Sequence, residues 1–203
     1  MTMGRTAKTP RGNETLAALL GSGARAEVLR LFLIDPTRDY YQRQIETATA
    51  LPIRAVQREL ERLSKIRLLY RRSEGNRTYY QVDTQFILFQ DLRNLFLRAG
   101  PPLDRIRGEA ALDSSIILLV HDEEQSRMLL IYTGRRAPEI GSTDLLPIDT
   151  MTRDEFMLAL AGGDPRIDAF LRRGVDMLGR REDVIWRRIE AAGYNVPKAK
   201  GVA

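Results

Sequence analysis

The fold of the first half of this 203-residue chain is decided by the stretch Ile53-Arg54-Ala55-Val56-Gln57-Arg58-Glu59-Leu60-Glu61-Arg62-Leu63-Ser64-Lys65. Val56, Leu60 and Leu63 recur at spacings of four and three, so a helix places them on one face. The opposite face carries charged and amide side chains, namely Arg54, Gln57, Arg58, Glu61 and Arg62. The pattern predicts a helix over residues 53–65 that buries an aliphatic stripe and turns its guanidinium groups outward.

Three shorter helices are predicted before this one. They span residues 14–20, residues 24–34 and, with Asp39 as the N-cap, a third segment that ends at about residue 49. Gly21-Ser22-Gly23 ends the first, Asp35-Pro36 ends the second, and the turn Ala50-Leu51-Pro52 leads into the helix over 53–65. Residues 1–13 carry three basic side chains among small polar residues, which predicts a disordered basic arm.

A β-hairpin and a further helix are predicted next. Two β-prone runs, residues 68–73 and 78–82, flank a turn that contains Gly75 and Asn76. The helix fits residues 84–98 and is apolar on more than one side, which a homodimer interface would explain. The expected interface residues are Phe86, Phe89, Leu92 and Phe96. Cover by the second half of the chain is the rival explanation.

The order helix, helix, short turn, helix, hairpin resembles the ArsR/MarR-like winged-helix group over residues 14–98. The likeness rests on Tyr40-Tyr41-Gln42-Arg43-Gln44-Ile45, Ala55-Val56-Gln57-Arg58-Glu59-Leu60-Glu61-Arg62-Leu63, Leu68-Leu69-Tyr70-Arg71-Arg72 and Glu74-Gly75-Asn76-Arg77-Thr78-Tyr79-Tyr80. Family members usually have Gly in the turn and Ser before the recognition helix, where this chain has Ala50 and Pro52. The resemblance implies a winged helix-turn-helix DNA-binding domain over residues 14–83 and a linker or dimerisation helix over 84–99.

If double-stranded DNA is the partner, each exposed polar or basic group of this half has an expected role. Arginine can donate two hydrogen bonds to guanine and glutamine can pair with adenine in the major groove, so the expected base contacts are Arg54, Gln57 and Arg58. The expected backbone contacts are Tyr41, Gln42, Arg43, Arg62 and Lys65, and the expected wing contacts are Arg72, Asn76 and Arg77. Residues 1–100 hold 17 Lys/Arg and 10 Asp/Glu, a net charge of +7, whereas the remainder carries −2. This asymmetry favours a polyanionic partner for the first half, with an inert basic surface as the alternative.

The second half is predicted to be a small α/β or α+β unit, which makes the whole chain α+β. Continuous apolar runs at residues 115–120 and 128–132 predict strands that are buried on both faces, and residues 145–148 predict a short third strand. Helices are predicted over residues 152–161, 165–174 and 182–192. Thr152 with Glu155 makes a capping box, and Asp164 before Pro165 marks a second helix start.

This half resembles a degenerate minimal nucleotidyltransferase domain of the antitoxin-like type, assigned to residues 112–195. The likeness rests on Asp149-Thr150-Met151-Thr152-Arg153-Asp154-Glu155-Phe156 and Gly162-Gly163-Asp164-Pro165-Arg166. Active members carry Gly-Ser after the first strand and two aspartates one residue apart on the second, which bind two catalytic metals. This chain has Val120-His121-Asp122 and Arg127-Met128-Leu129-Leu130 there, and its Gly141-Ser142-Thr143-Asp144 comes late. The comparison therefore implies a domain that is not an enzyme and holds no metal.

Composition excludes several other kinds of site. The chain has no cysteine and one histidine, so it cannot form disulfides, thiolate metal sites or a multi-histidine site within one chain. No apolar run reaches the roughly 20 residues of a membrane-spanning helix, so we expect a cytoplasmic protein without membrane contact. We expect no cofactor, a loop-edge position for His121, a core position for Trp186 and a flexible tail over residues 196–203. The arginine pairs at 135–136, 172–173, 180–181 and 187–188 are expected to be solvated.

The sequence therefore predicts a homodimeric, sequence-specific double-stranded DNA-binding transcriptional regulator, expected to be a repressor. An unknown small ligand or protein partner at the C-terminal domain is left open. A nucleotidyltransferase enzyme guided by a winged helix and an antitoxin-like protein-interaction module are the alternatives.

Overall fold

The computed structural model describes residues 12–141 and 146–202. Over these residues the protein is α+β, with nine helices and two sheets. The helices are α1 (Gly12–Leu20), α2 (Gly23–Ile34), α3 (Gln42–Thr49), α4 (Ile53–Lys65), α5 (Phe89–Ala99), α6 (Pro102–Leu112), α7 (Arg153–Ala161), α8 (Pro165–Arg173) and α9 (Val184–Ala191). The strands are β1 (Tyr40–Tyr41), β2 (Leu69–Glu74), β3 (Arg77–Val82), β4 (Ile116–Asp122), β5 (Arg127–Tyr132), β6 (Ile148–Thr152) and β7 (Val175–Asp176).

The first half packs α1 to α5 around one apolar core against a small antiparallel sheet with strand order β1-β3-β2. The helix predicted over residues 53–65 is confirmed as α4, and its stripe of Val56, Leu60 and Leu63 is buried in this core. The predicted hairpin is confirmed as β2 and β3, but β1 was not predicted. Its two residues pair with β3, Tyr40 opposite Tyr80 and Tyr41 opposite Tyr79.

Three boundaries in the first half differ from the sequence prediction. Asp39 is not the N-cap of α3, because the helix begins at Gln42, where the backbone N–H of Tyr41 donates to Gln44 Oε1 at 3.1 Å. The helix predicted from residue 84 begins at Phe89, after a stretch of turns. Residues 12 and 13, predicted as the end of a disordered arm, belong to α1, and residues 1–11 of that arm lie outside the described residues.

The second half is a four-stranded mixed sheet with strand order β6-β5-β4-β7. The hairpin β4–β5 is antiparallel, β6 runs parallel to β5, and β7 runs antiparallel to β4. One face of β4 and β5 packs on α7, α8 and α9, and the other packs on α6, so the prediction that both strands are buried on two faces is confirmed. The predicted starts of α7 and α8 are also confirmed, because Thr152 accepts from the Glu155 N–H and Asp164 from the Arg166 N–H.

Two expectations about connecting segments were wrong. From its sequence the run Gly100-Pro101-Pro102 is expected to be a linker, but Pro102 begins α6, which contacts α2, α5 and β4. Proline at the first helical position removes an N–H that would have no partner there and presets φ for the helix. The third strand lies at Ile148–Thr152 rather than at residues 145–148.

The predicted flexible tail is instead an ordered connection between the two halves. We call residues 197–202 the return segment. Its Pro197 carbonyl and Ala199 N–H bond to the backbone of Asp176 at 2.8 Å each, and its Gly201 carbonyl accepts from the Tyr40 hydroxyl at 3.1 Å. Val196, just before it, is 1 % exposed. The segment therefore touches both the β7 edge and the first half of the chain.

Buried side chains in the second half revise two further expectations. Arg180 donates to the carbonyls of Ala111, Asp113 and Ile116 at 2.6 Å each and so binds the end of α6, instead of standing in solvent. His121 lies within β4 and is half-buried, not at a loop edge. The core position of Trp186 is confirmed at 2 % exposure. No helix among the described residues has the length and apolarity needed to cross a membrane.

Candidate nucleic-acid interface

The outward face of α4 carries the three predicted base-contact residues. Arg54, Gln57 and Arg58 are exposed, while the opposite face of the helix is buried. Among the described residues, Arg54 and Gln57 make no side-chain hydrogen bond or ion pair, and Arg58 reaches only Glu59, at 3.7 Å. The packing predicted for this helix is therefore confirmed, and its polar groups are free to meet another molecule.

A buried carboxylate fixes the orientation of α4. Glu59 is fully buried and accepts from Arg25 Nε of α2 at 3.0 Å and from an Arg62 terminal nitrogen at 3.1 Å. Arg25 also donates to the Leu20 carbonyl at the end of α1 at 2.8 Å. Sequence reasoning missed this residue, although a signal existed. Glu59 follows Val56 by three positions and precedes Leu63 by four, which places it on the buried stripe.

The hairpin β2–β3 holds its two arginines differently. The Arg77 guanidinium lies over the Tyr41 ring, 4.7 Å from the centroid, and has no carboxylate partner among the described residues. Hydrogen bonding to Tyr79 raises the pKa of Arg77, which keeps the side chain charged. Arg72 pairs with Asp39 at 2.6 Å and with Glu74. Arg77 is thus available to an external anion, whereas the charge of Arg72 is already offset by two carboxylates.

The start of α3 and the hairpin tip surround one open groove of about 550 Å³. Its lining includes the predicted contact residues Tyr41, Gln42, Arg43, Asn76 and Arg77. Arg43 and Asn76 are exposed, and Tyr41 and Gln42 are half-buried. Ile53, the first residue of α4, lines the same groove, which therefore lies beside the helix with the predicted base contacts, although Arg54, Gln57 and Arg58 do not line it.

The last turn of α4 and strand β2 extend this basic surface. The predicted backbone contacts Arg62 and Lys65 are exposed there, although Arg62 also holds Glu59. Arg67 and Arg71, which sequence reasoning did not select, are exposed as well, and neither makes an ion pair among the described residues. Sequence reasoning could have selected them because they lie beside or within a helix and a hairpin that are both basic.

Two of the four residues predicted for a dimer interface lie inside the subunit. Phe89 and Phe96 are 3 % and 2 % exposed because they pack into the core of the first half. Phe86 and Leu92 are half-buried against the same core. The exposed apolar side chains of this region are instead Ile87, Leu88 and Leu95, at 88 %, 51 % and 37 % exposure.

The second half holds Asp122, one of the two carboxylates compared with the metal ligands of active nucleotidyltransferases. Asp122, at the end of β4, is 2 % exposed, pairs with Arg173 at 3.0 Å and accepts the N–H groups of Glu124 and Gln125 in the turn. No group of three or more His, Cys, Asp or Glu side chains that could hold a metal occurs within residues 12–141 and 146–202. Asp144, the other carboxylate considered from the sequence, lies outside the described residues.

Comparison of the chain with protein-family models, with curated protein sequences and with solved structures gave no significant match. The function of the basic surface therefore rests on its own geometry. The basic surface has three parts: a helix with a polar outward face, a hairpin whose tip arginine has no carboxylate partner among the described residues, and a helix N-terminus beside both. The polar groups of this surface are spread over several elements and are not gathered in one pocket.

Proposed function

We propose that this protein is a sequence-specific double-stranded DNA-binding transcriptional regulator, with a winged helix-turn-helix over residues 14–83. In this proposal α3 and α4 are the helix-turn-helix, α4 is the recognition helix, and β2–β3 is the wing. The observation that carries it is the outward, polar face of α4, with Arg54 and Gln57 free of intramolecular partners among the described residues.

The dimensions and charge of α4 support major-groove binding. Its 13 residues make a rod about 20 Å long, at about 1.5 Å per residue. The major groove is about 12 Å wide and accepts such a helix. Arg54, Gln57 and Arg58 lie in its first half, the end that reads base edges in helix-turn-helix proteins. Buried Glu59 prevents the helix from rolling, which sequence discrimination requires.

The wing and the start of α3 would bind the backbone on either side. Arg77 lies on Tyr41 without a carboxylate partner among the described residues, so a phosphate would be its strongest partner. Arg43 at the start of α3 sits where helix N–H groups favour anions. Arg72 contributes less, because Asp39 and Glu74 already bind it.

A homodimer remains part of the proposal, with a changed interface. Ile87, Leu88 and Leu95 replace the buried Phe89 and Phe96 as the contacts between subunits. Burying these exposed apolar side chains against a second copy would place two α4 helices on one DNA duplex. Half-sites would then lie about 34 Å apart, one helical turn of DNA.

For the second half we propose a non-catalytic domain of the degenerate nucleotidyltransferase-like type. Asp122 follows the first strand of this half, and its carboxylate is already committed to Arg173 and to the turn that follows. A group bound in this way is poorly placed to hold a catalytic metal.

Selection of fragments from genomic DNA by the purified protein tests the function directly. A single enriched, palindromic site is expected. Arg54→Ala breaks no intramolecular contact of the described residues, and it should weaken binding to that site about tenfold, since a good base contact contributes about 1–3 kcal/mol. Binding to random DNA should change little.

Arg58→Ala should behave like Arg54→Ala, whereas Arg77→Ala should weaken binding to both DNAs. It should also reduce the slope of log K against log salt by about one. Arg135→Ala, an exposed arginine of the second half, is the matched control and should leave both affinities unchanged. No enriched site, or equal losses from Arg58→Ala and Arg77→Ala on both DNAs, would refute the assigned roles.

A further inference from the structure

A cavity of about 290 Å³ lies where the two halves of the chain meet. Its walls come from α2 and α3 on one side, from α6, β4 and β7 on the other, and from the return segment. Apolar side chains supply part of the lining, among them Leu31, Leu103 and Met177. The polar groups facing it include Arg107, His121 and Lys200. A volume near the lower limit of small-molecule pockets admits only a compact ligand.

Arg107 is a buried cation whose guanidinium is only partly hydrogen-bonded by the described part of the chain. It is 7 % exposed, and its terminal nitrogens donate only to the carbonyls of Lys200 and Gly201, at 3.4 and 2.8 Å. Its Nε has no hydrogen-bond partner, and it forms no ion pair with any described carboxylate. Burial lowers the pKa of Arg107, although Tyr40, Asp35 and Asp104 lie close enough to act in the opposite direction.

A neighbouring arginine of the same cavity provides a comparison. Arg30 donates two hydrogen bonds of 2.6 Å to the Asp104 carboxylate, one from Nε and one from a terminal nitrogen. Asp104 therefore accepts its hydrogen bonds from Arg30 and acts on Arg107 only through space. A buried cation is costly unless an anion pairs with it, and no described carboxylate bonds directly to Arg107. An anion that reached Arg107 from the cavity would therefore be stabilised there.

We propose that this cavity is a binding site for a small organic acid, whose carboxylate pairs with Arg107 and whose body lies against Leu31 and Met177. A carboxylate matches the planar guanidinium fork. Glu27 and Glu123 also line the cavity and would repel a doubly charged phosphate more strongly than a singly charged acid. Lys200 at the exposed rim adds a favourable charge.

The position of the cavity gives the ligand an effect on DNA binding, a consequence that rests on the proposed function. Ala48 and Thr49, at the end of α3, line it together with Met177 and Ala199 of the second half. A ligand that fills this space changes the contact between α3 and the rest of the chain. Coupling requires that the binding energy of the acid differ between the DNA-bound and the free protein.

Calorimetric titration of the full chain with acetate, pyruvate and benzoate tests the site without DNA. Benzamide, the neutral analogue of benzoate, and inorganic phosphate are the comparators. We expect one acid of the series to bind saturably with one site per chain, and benzamide and phosphate to bind at least about tenfold more weakly. No saturable binding of any acid, equal binding of benzamide and benzoate, or tighter binding of phosphate would overturn the proposal.

Matched variants separate a binding role of Arg107 from a structural one. Arg107→Met and Lys200→Glu should each weaken the acid about tenfold, and Lys200 is exposed, so this variant keeps the fold. Arg93→Met is the control. Arg93 is also 7 % exposed with an Nε that lacks a partner, but it does not line the cavity, and this change should leave the affinity unaltered. Equal weakening by Arg93→Met, or none by Lys200→Glu, would refute the site.

The two proposals can fail independently. If the acid binds and Arg107→Met weakens its binding as predicted, the site stands whether or not the protein selects a DNA sequence. If a DNA site is selected, its affinity should change at saturating acid in the wild-type chain and not in Arg107→Met. An affinity unmoved by a bound acid would refute the coupling.

Discussion

Replacing Glu59 by glutamine tests the interaction that orients α4. The wild-type carboxylate is fully buried and holds Arg25 at 3.0 Å and Arg62 at 3.1 Å. Glutamine keeps the size of the side chain but removes its charge and one of its two acceptor oxygens. One charge-assisted hydrogen bond is therefore lost and the other is weakened.

The expected loss of unfolding free energy follows from these contacts. A hydrogen bond to a charged group contributes about 1.5–3 kcal/mol, and leaving a buried ion without its partner costs about 3–5 kcal/mol. Both arginines are partly exposed, with side-chain exposures of 30 % and 54 %, so water can replace part of the lost interaction. We therefore expect a loss of about 2 kcal/mol, toward the lower end of these ranges.

Urea denaturation followed by far-ultraviolet circular dichroism measures this loss. With a slope of about 2 kcal/mol per molar, the midpoint should fall by about 1 M. Glu61→Gln is the matched control, because Glu61 is exposed on the same helix and has no partner among the described residues. Its midpoint should stay within about 0.25 M of wild type. Equal midpoints for Glu59→Gln and wild type would show that the buried carboxylate does not hold α4.

Two further changes test the second half. Gly174→Ala should destabilise the protein by about 3 kcal/mol or more, because a Cβ there would overlap the Val120 side chain and the Phe170 carbonyl. Gly23→Ala, the control in the first half, meets only the Ala17 Cβ at an ordinary contact distance of 3.9 Å and should leave the melting temperature nearly unchanged. Equal melting temperatures for the two variants would contradict this packing. Burial lowers the pKa of His121 below 6.5, so the folded state favours the neutral ring, and the stability this confers is complete above pH 6.5 and declines as the pH falls toward the lowered value. His121→Asn should therefore make the melting temperature depend less on pH between about pH 5 and 6.5. An unchanged dependence on pH would show that another group titrates there.

Local sequence patterns predicted the elements whose apolar residues repeat at a regular spacing or whose first turn has a capping side chain. The helix over 53–65 was predicted to the residue because its apolar positions repeat at helical spacing. Thr152 and Asp164 marked helix starts because a capping side chain binds backbone N–H groups only a few residues away. Such information lies within one short segment, so one sequence suffices to find it.

Features that depend on distant partners were not predictable. The apolar side chains of residues 86–97 fit a dimer surface as well as a core, and only their packing against α1 and α2 shows that Phe89 and Phe96 belong to the core. The return segment has neither regularly spaced apolar residues nor a capping side chain. It is held by hydrogen bonds with Tyr40, Arg107 and Asp176. For the basic surface, sequence gave the residues of α4 but not the carboxylates that hold Arg72.

The return segment also limits the order in which the molecule is completed during synthesis. Residues 197–202 leave the ribosome after every element that they contact, and the bond between Tyr40 and Gly201 spans 161 positions. The first half can assemble its core from local neighbours while the rest of the chain is still being made. The cavity that both halves line together with this segment is completed only later. Until then Arg107 lacks both of its carbonyl partners, so the nascent chain exposes to solvent a cation that the finished molecule encloses.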